Sequence, residues 1–168
     1  PGCAGMNPVL DQLQQKYPQE VRIVYRHFPL SSHDKAPLAV QAAEAAGLQD
    51  KFWEMHDLLF KERERWVNLS VDQFEIWLVE KAEQLGLDTD KFKVDLKSPD
   101  LVKIARDAYE RNAAIGMPGT PFLLIDNMPY NGPLDFANLD ATIALTLLQQ
   151  SQFNECPPMV IDPTKQYF

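Results

Sequence analysis

The sequence predicts an α/β architecture carrying an all-helical insertion, on three observations. Val21–Phe28 is β-branched and aromatic and is closed by Pro29, the signature of a strand. A second apolar run of strand length, Pro121–Ile125, follows a tight loop in which two prolines and two glycines restrict the backbone. Between them lies a block of about eighty residues with helical periodicity throughout, too long for a simple crossover and expected to pack as a subdomain.

The 168 residues suit one domain, or one domain with a sizeable insertion. With 45% hydrophobic residues, three Trp, nine Phe and five Tyr, the chain can build a real core. Its net charge of −8 argues against nucleic acid and anionic membrane surfaces as partners, since both select for basic patches. No apolar run approaches the roughly 20 residues of a membrane span, so no membrane insertion is expected. The chain opens on Pro1 rather than Met, so its start carries no targeting information.

The elements follow in order. Met6, Val9, Leu10, Leu13 and Tyr17 recur at three- and four-residue steps, predicting a helix from Ala4 to Tyr17 with Pro8 in its early turns and Pro18 at its end. After the Val21–Phe28 strand come helices over His33–Ala46 and Asp50–Trp66. Ser70-Val71-Asp72-Gln73 is a capping box that opens a third, running to Leu85. Ser98-Pro99 is an N-cap with proline at the first helical position, followed by Leu101, Ile104, Ala105 and Ala108 on one face. In Gly47-Leu48 and Gly86-Leu87 the glycine is expected to take a left-handed C-cap. The Pro121–Ile125 strand then turns at Asp126-Asn127 into a short strand near Met128–Asn131. Asp135 opens a last helix with Phe136, Leu139, Ile143 and Leu147 on one face, and the pattern fades into a linker after Gln149.

Candidate chemistry gathers at the two ends of this plan. Cys3 stands at the start of the first helix, where unpaired N–H groups and the helix dipole favour a thiolate; an inert buried thiol is the plain alternative. An X-Pro bond in a cramped turn can be cis at a cost of about 0.5–1 kcal/mol, although the loop by itself favours trans. A cis Thr120–Pro121 bond would turn the Thr120 N–H and C=O outward towards an extended peptide, whereas a trans bond gives an ordinary loop. Cys156 could bridge to Cys3, a geometry that sequence alone does not test. His27, His33 and His56 fall on different elements without ligand spacing, so no metal is expected. His56 lies on the apolar stripe of its helix, which favours a packing role. Glu62–Arg65 and Glu80–Glu83 read as solvated helix ends. Met117, beside the loop, has the adaptable side chain that suits an undiscriminating apolar surface.

Four motifs in order resemble a DsbA-like thiol–disulfide oxidoreductase: Pro1-Gly2-Cys3-Ala4-Gly5-Met6-Asn7-Pro8, Val21–Leu30, Lys51–Phe60 and Gly116–Phe122. The resemblance spans about residues 1–150. It implies a thioredoxin-like fold, with 1–30 and 114–150 forming the thioredoxin-like domain, 31–113 the helical insertion and 151–168 a linker or tail. It implies that Pro1-Gly2-Cys3 completes a Cys-Pro-Gly-Cys site, whose attacking cysteine and first strand precede Pro1. Cys3 then resolves the mixed disulfide, cis Pro121 faces the cysteines, and Pro1, Gly2, Met117, Gly119 and Thr120 meet the client. No cofactor is implied. The implied partners are unfolded or partly folded client proteins and a redox-recycling partner, in an extracytoplasmic space: periplasm, cell envelope or outside the cell. Whether the direction is oxidation, reduction or isomerisation stays open. A glutathione-dependent transferase or isomerase of the kappa type, with serine at the attacking position, shares the fold, as does a thioredoxin-fold module that only binds. The tail Cys156–Phe168 resembles the lead-in to a cyclophilin-type prolyl isomerase domain; a plain disordered tail is the alternative.

Overall fold

The computed structural model describes residues 2–154. Pro1 and the tail with Cys156 lie outside that range, and with them the Cys3–Cys156 bridge and the cyclophilin-like lead-in. Eight helices and one hairpin are found there: α1 Gly2–Lys16, α2 Ala36–Gly47, α3 Phe52–Lys61, α4 Arg63–Trp66, α5 Val71–Gln84, α6 Thr89–Leu96, α7 Pro99–Ala114, β1 Leu123–Ile125, β2 Met128–Tyr130 and α8 Phe136–Asn154.

Most boundaries follow from local chemistry. Ser70 caps α5 by accepting from the Gln73 N–H, while the Gln73 side chain accepts from the Ser70 N–H, which completes the capping box. Ser98 caps α7 by accepting from the Leu101 N–H, with Pro99 in the first turn. β1 and β2 pair antiparallel with Leu124 opposite Pro129. Asp126 and Asn127 both hold positive φ, at 50° and 64°, as a two-residue hairpin turn requires.

Several boundaries differ from the sequence pattern. Val21–Phe28 is not a strand: β1 and β2 satisfy each other, and no described strand offers this segment a ladder. Its backbone is tied down instead by the Asn112 side chain, whose Nδ2 donates to the His27 carbonyl at 2.8 Å. The predicted Asp50–Trp66 helix breaks at Glu62, where the backbone leaves helical geometry between α3 and α4. A further helix, α6, is capped by Asp88, whose carboxylate accepts from the Asp90 and Lys91 N–H groups. Gly86 takes the left-handed cap, but Gly47 stays helical and the left-handed residue is Asp50. The need for glycine at 47 is steric, since a Cβ there would meet Phe52 Cβ at 3.3 Å. α8 also runs past Gln149 to Asn154, so 151–154 belongs to a helix rather than a linker.

Two groups of buried apolar side chains hold the molecule together. One lies within the helical block, where Met55, Phe74, Leu78, Phe92 and Leu96 are wholly buried. The other joins Met6 and Leu13 of α1 to Leu139 and Ile143 of α8, with Leu123, Ile125 and Tyr130 of the hairpin packed against them. Lys16 reinforces that seam by bonding Asp140 at 2.6 Å, with Tyr17 donating to the same carboxylate at 2.8 Å. These bonds hold the Asp140 carboxyl below its usual range, the Lys16 bond most of all. The charge runs are not merely solvated, because Glu62 pairs at 2.9 Å with Lys81, which is buried beneath the Trp77 ring. No helix among the described residues is long and apolar enough to cross a membrane.

Candidate functional site

The second packing group brings the start of α1 against the loop that precedes β1. α7 ends where the Met117 N–H bonds back to the Asn112 carbonyl at 3.0 Å, with Gly116 left-handed at φ 68°. Met117 is half-buried by that turn, while Pro118 and Thr120 face solvent. Gly119 has φ 151°, and the Thr120–Pro121 peptide is cis, the isomer expected from the loop's resemblance. Gly2 abuts Pro121: a Cβ on Gly2 would lie 3.0 Å from Pro121 Cδ and 3.8 Å from its Cγ. Cys3 is the next residue of α1, half-buried in the first helical turn, with no disulfide partner among the described residues. Residues over a hundred positions apart in sequence therefore form one surface.

Tyr25, predicted only as part of the Val21–Phe28 strand, lies within the field of Cys3 and keeps 37% of its surface exposed. Its hydroxyl is pushed up to about 12, first by burial and then by the negative charge of Cys3. The tyrosine ring stands edge-on to His56 at 4.4 Å and to His27 at 5.1 Å between centroids, with Phe52, Trp53 and Phe60 around it. His27 Nε2 lies 2.9 Å from Glu44 Oε1, and His56 Nδ1 lies 2.8 Å from Asp57 Oδ1. Burial lowers the His27 imidazole below its ordinary value; Glu44 opposes that shift and His56 adds to it. His56 is buried among aromatic rings, as its place on the apolar stripe suggested, yet it also shares Tyr25 with His27. Nothing in residue spacing joins positions 25, 27 and 56, so sequence reasoning had no signal for the cluster. His33 is exposed in the turn before α2. Among the described residues no group of three or more His, Cys, Asp or Glu side chains is placed to hold a metal ion.

A family model described as Thioredoxin matches residues 1–144, covering α1, the helical block, the hairpin and the start of α8. The chain belongs to the thioredoxin family. Its α/β fold is thioredoxin-like, with the β1–β2 hairpin as the sheet of the described residues. Among curated relatives of this thioredoxin-family chain are proteins named Na(+)/H(+) antiporter NhaA 3 from Salinispora tropica and Na(+)/H(+) antiporter NhaA 1 from Salinispora arenicola. The first is 34% identical and the second 32%, each over 85% of this chain and 21% of the relative. A third, Na(+)/H(+) antiporter NhaA from Herminiimonas arsenicoxydans, is 29% identical over 84% of the chain and 21% of its own length. The chain thus spans about a fifth of the length of these curated relatives.

Proposed function

We propose that this thioredoxin-family chain is the core of a DsbA-like protein thiol–disulfide oxidoreductase acting on client proteins in an extracytoplasmic space. The observation that carries the reading is the abutment of Gly2 on Pro121, which sets Cys3 beside the Gly119–Pro121 loop. In the proposed cycle a thiolate immediately upstream of Pro1 attacks one sulfur of a client disulfide. The client's other sulfur leaves with the electron pair and takes a proton from water. Cys3 gives up its proton, and its sulfur then attacks the enzyme sulfur of the mixed disulfide. The enzyme disulfide forms, the second client thiolate departs, and two electrons have passed to the client. Run backwards, the same steps oxidise a client dithiol. The exposed Thr120 backbone beside Pro121 holds the client as an added strand, and Gly2 and Met117 border it.

Insulin reduction by a chain extended upstream through the residue before Pro1 tests the reading. Turnover that Cys3→Ala stops or traps as a mixed disulfide supports it; no turnover, with Cys3→Ala indistinguishable from the parent, refutes it. The antiporter relatives favour a second reading, in which such a thioredoxin-like module serves inside a longer transport protein. The match covers only a fifth of those proteins, so the two readings differ in context rather than in the chemistry of Cys3.

A further inference from the structure

The exchange cycle makes no use of a cavity of about 170 Å³ between α1 and α3. Asn7, Asp11 and Gln14 line it from α1, and Trp53, His56 and Asp57 line it from α3. Asn7 Nδ2 donates to Asp57 Oδ1 at 3.4 Å, which ties the two walls together. Two carboxylates thus face one small space from different helices. Among the described residues neither is paired with a lysine or an arginine.

His56 adds a third acceptor to that lining. It is buried, and its Nδ1 lies 2.8 Å from Asp57 Oδ1. A carboxylate oxygen accepts, so Nδ1 carries the proton, and in the neutral ring Nε2 keeps a lone pair that has no partner among the described residues. Buried polar atoms are nearly always partnered, so an orphan acceptor on a residue lining a cavity points to a donor as the cavity's ligand. Carboxylates on two walls, an acceptor nitrogen and the exposed Trp53 indole together select a ligand that is cationic, flat and rich in N–H groups. A guanidinium meets all three demands, because its planar fork of donors can bridge two carboxylates while its face stacks on an aromatic ring. An ammonium is a compact, strongly hydrated charge and fits separated acceptors less well.

The cavity is also placed along the line of the thiol. Cys3, Asn7, Asp11 and Gln14 follow at steps of four, four and three, so they share one face of α1. At about 1.5 Å per residue, Asn7 and Asp11 stand roughly 6 and 12 Å along the axis from Cys3. An extended chain advances about 3.3 Å per residue, so a client cysteine at Cys3 brings a side chain about two to four residues away within reach of the cavity. The net charge of −8 draws basic segments towards the same surface.

We infer that the cavity between α1 and α3 is a subsite for an arginine side chain of the client polypeptide, held by Asp11 and Asp57 against the Trp53 indole. The client's identity rests on the thiol–disulfide reading of Cys3; the guanidinium chemistry of the cavity does not.

The test titrates the isotope-labelled full chain, reduced and at constant ionic strength, with the amides of N-acetyl-arginine, N-acetyl-lysine and the neutral N-acetyl-citrulline. Binding is read at the indole N–H of Trp53, assigned by its loss in Trp53→Phe. The arginine amide is expected to give a saturable shift, the lysine amide a weaker one and the citrulline amide none. Asp11→Asn and Asp57→Asn should each weaken arginine binding about fivefold, as loss of one charge-assisted bond implies, and Trp53→Leu about threefold. Asp72→Asn, exposed on α5, should leave it unchanged. Shifts that the citrulline amide reproduces, lysine binding as tight as arginine, or unchanged affinity in both aspartate variants would overturn the inference. Asp11 is exposed, so Asp11→Asn decides should Asp57→Asn fail to fold. For the client role, the upstream-extended chain is offered two disulfide peptides that differ only in arginine or citrulline three residues from one cysteine. The arginine peptide is expected to turn over about fivefold faster at low concentration, an advantage that Asp11→Asn removes; equal turnover overturns the client role. Saturable arginine binding without turnover of insulin or either peptide would remove the oxidoreductase reading and leave the guanidinium site standing. Turnover without arginine binding would remove the subsite alone.

Discussion

Two glycines of α1 make opposite predictions for the same substitution. A Cβ on Gly2 would stand 3.0 Å from Pro121 Cδ, whereas a Cβ on Gly5 meets nothing within 4 Å. Carbon atoms rest at about 3.5–4.0 Å, so Gly2→Ala forces the helix end or the proline ring to give by about half an ångström. Overpacking of that kind costs about 1–3 kcal/mol, and the exposed Thr120 side of the loop can yield, which places this site near the lower end. Alanine's helical advantage over glycine, at most ~1 kcal/mol, is smaller in the first turn and does not offset the clash. A net loss of about 0.5–1.5 kcal/mol is expected for Gly2→Ala and a gain of about 0.5–1 kcal/mol for Gly5→Ala. Thermal unfolding followed at 222 nm should then separate the variants, since 1 kcal/mol moves the midpoint of a chain this size by about 2–4 °C. Equal stabilisation by both substitutions would mean that Gly2 does not touch Pro121, and the described surface would lose its foundation.

Three further outcomes follow from the packing and the charges. Phe74→Ala removes a wholly buried ring stacked on Trp77 and packed on Trp66, and should cost about 3–5 kcal/mol in denaturant unfolding. Because the folded state holds His27 below its ordinary value, the unfolded chain binds that proton more readily. Stability contributed there is present above pH ~6.5 and is lost as pH falls through the folded-state value, so the decline in urea midpoint just below pH 6.5 should flatten in His27→Gln. At the alkaline end the sign reverses: Tyr25 keeps its proton longer folded than unfolded, so stability falls between about pH 10 and 12. Absorbance at 295 nm should show one tyrosine ionising near 12 that is missing from Tyr25→Phe.

Short-range chemistry was the legible part of this chain. Ser70 and Ser98 announce their helices because capping is settled within four residues, and Asp126-Asn127 announces its hairpin because few residues tolerate two positive φ values in succession. The helical block and the loop at Gly116–Phe122 were readable for the same reason. The fate of Val21–Phe28 was not, since its residues suit a strand but strand formation depends on a partner elsewhere. The pairing of Glu62 with buried Lys81 and the gathering of Tyr25, His27 and His56 are likewise matters of helix packing, which leaves no local mark. Of the site itself, Cys3 and the Pro121 loop were nominated by their own residues, while Tyr25 became visible only through its neighbours.

A spin label on Cys3 in the Cys156→Ala chain tests the central spatial claim most directly, read as paramagnetic broadening of backbone amides. Strong broadening of Gly119, Thr120 and Phe122 is expected, with Val94 of α6 keeping its full intensity. Full intensity at Gly119 and Thr120 would contradict the account, because the helix start and the proline loop would then not share a surface.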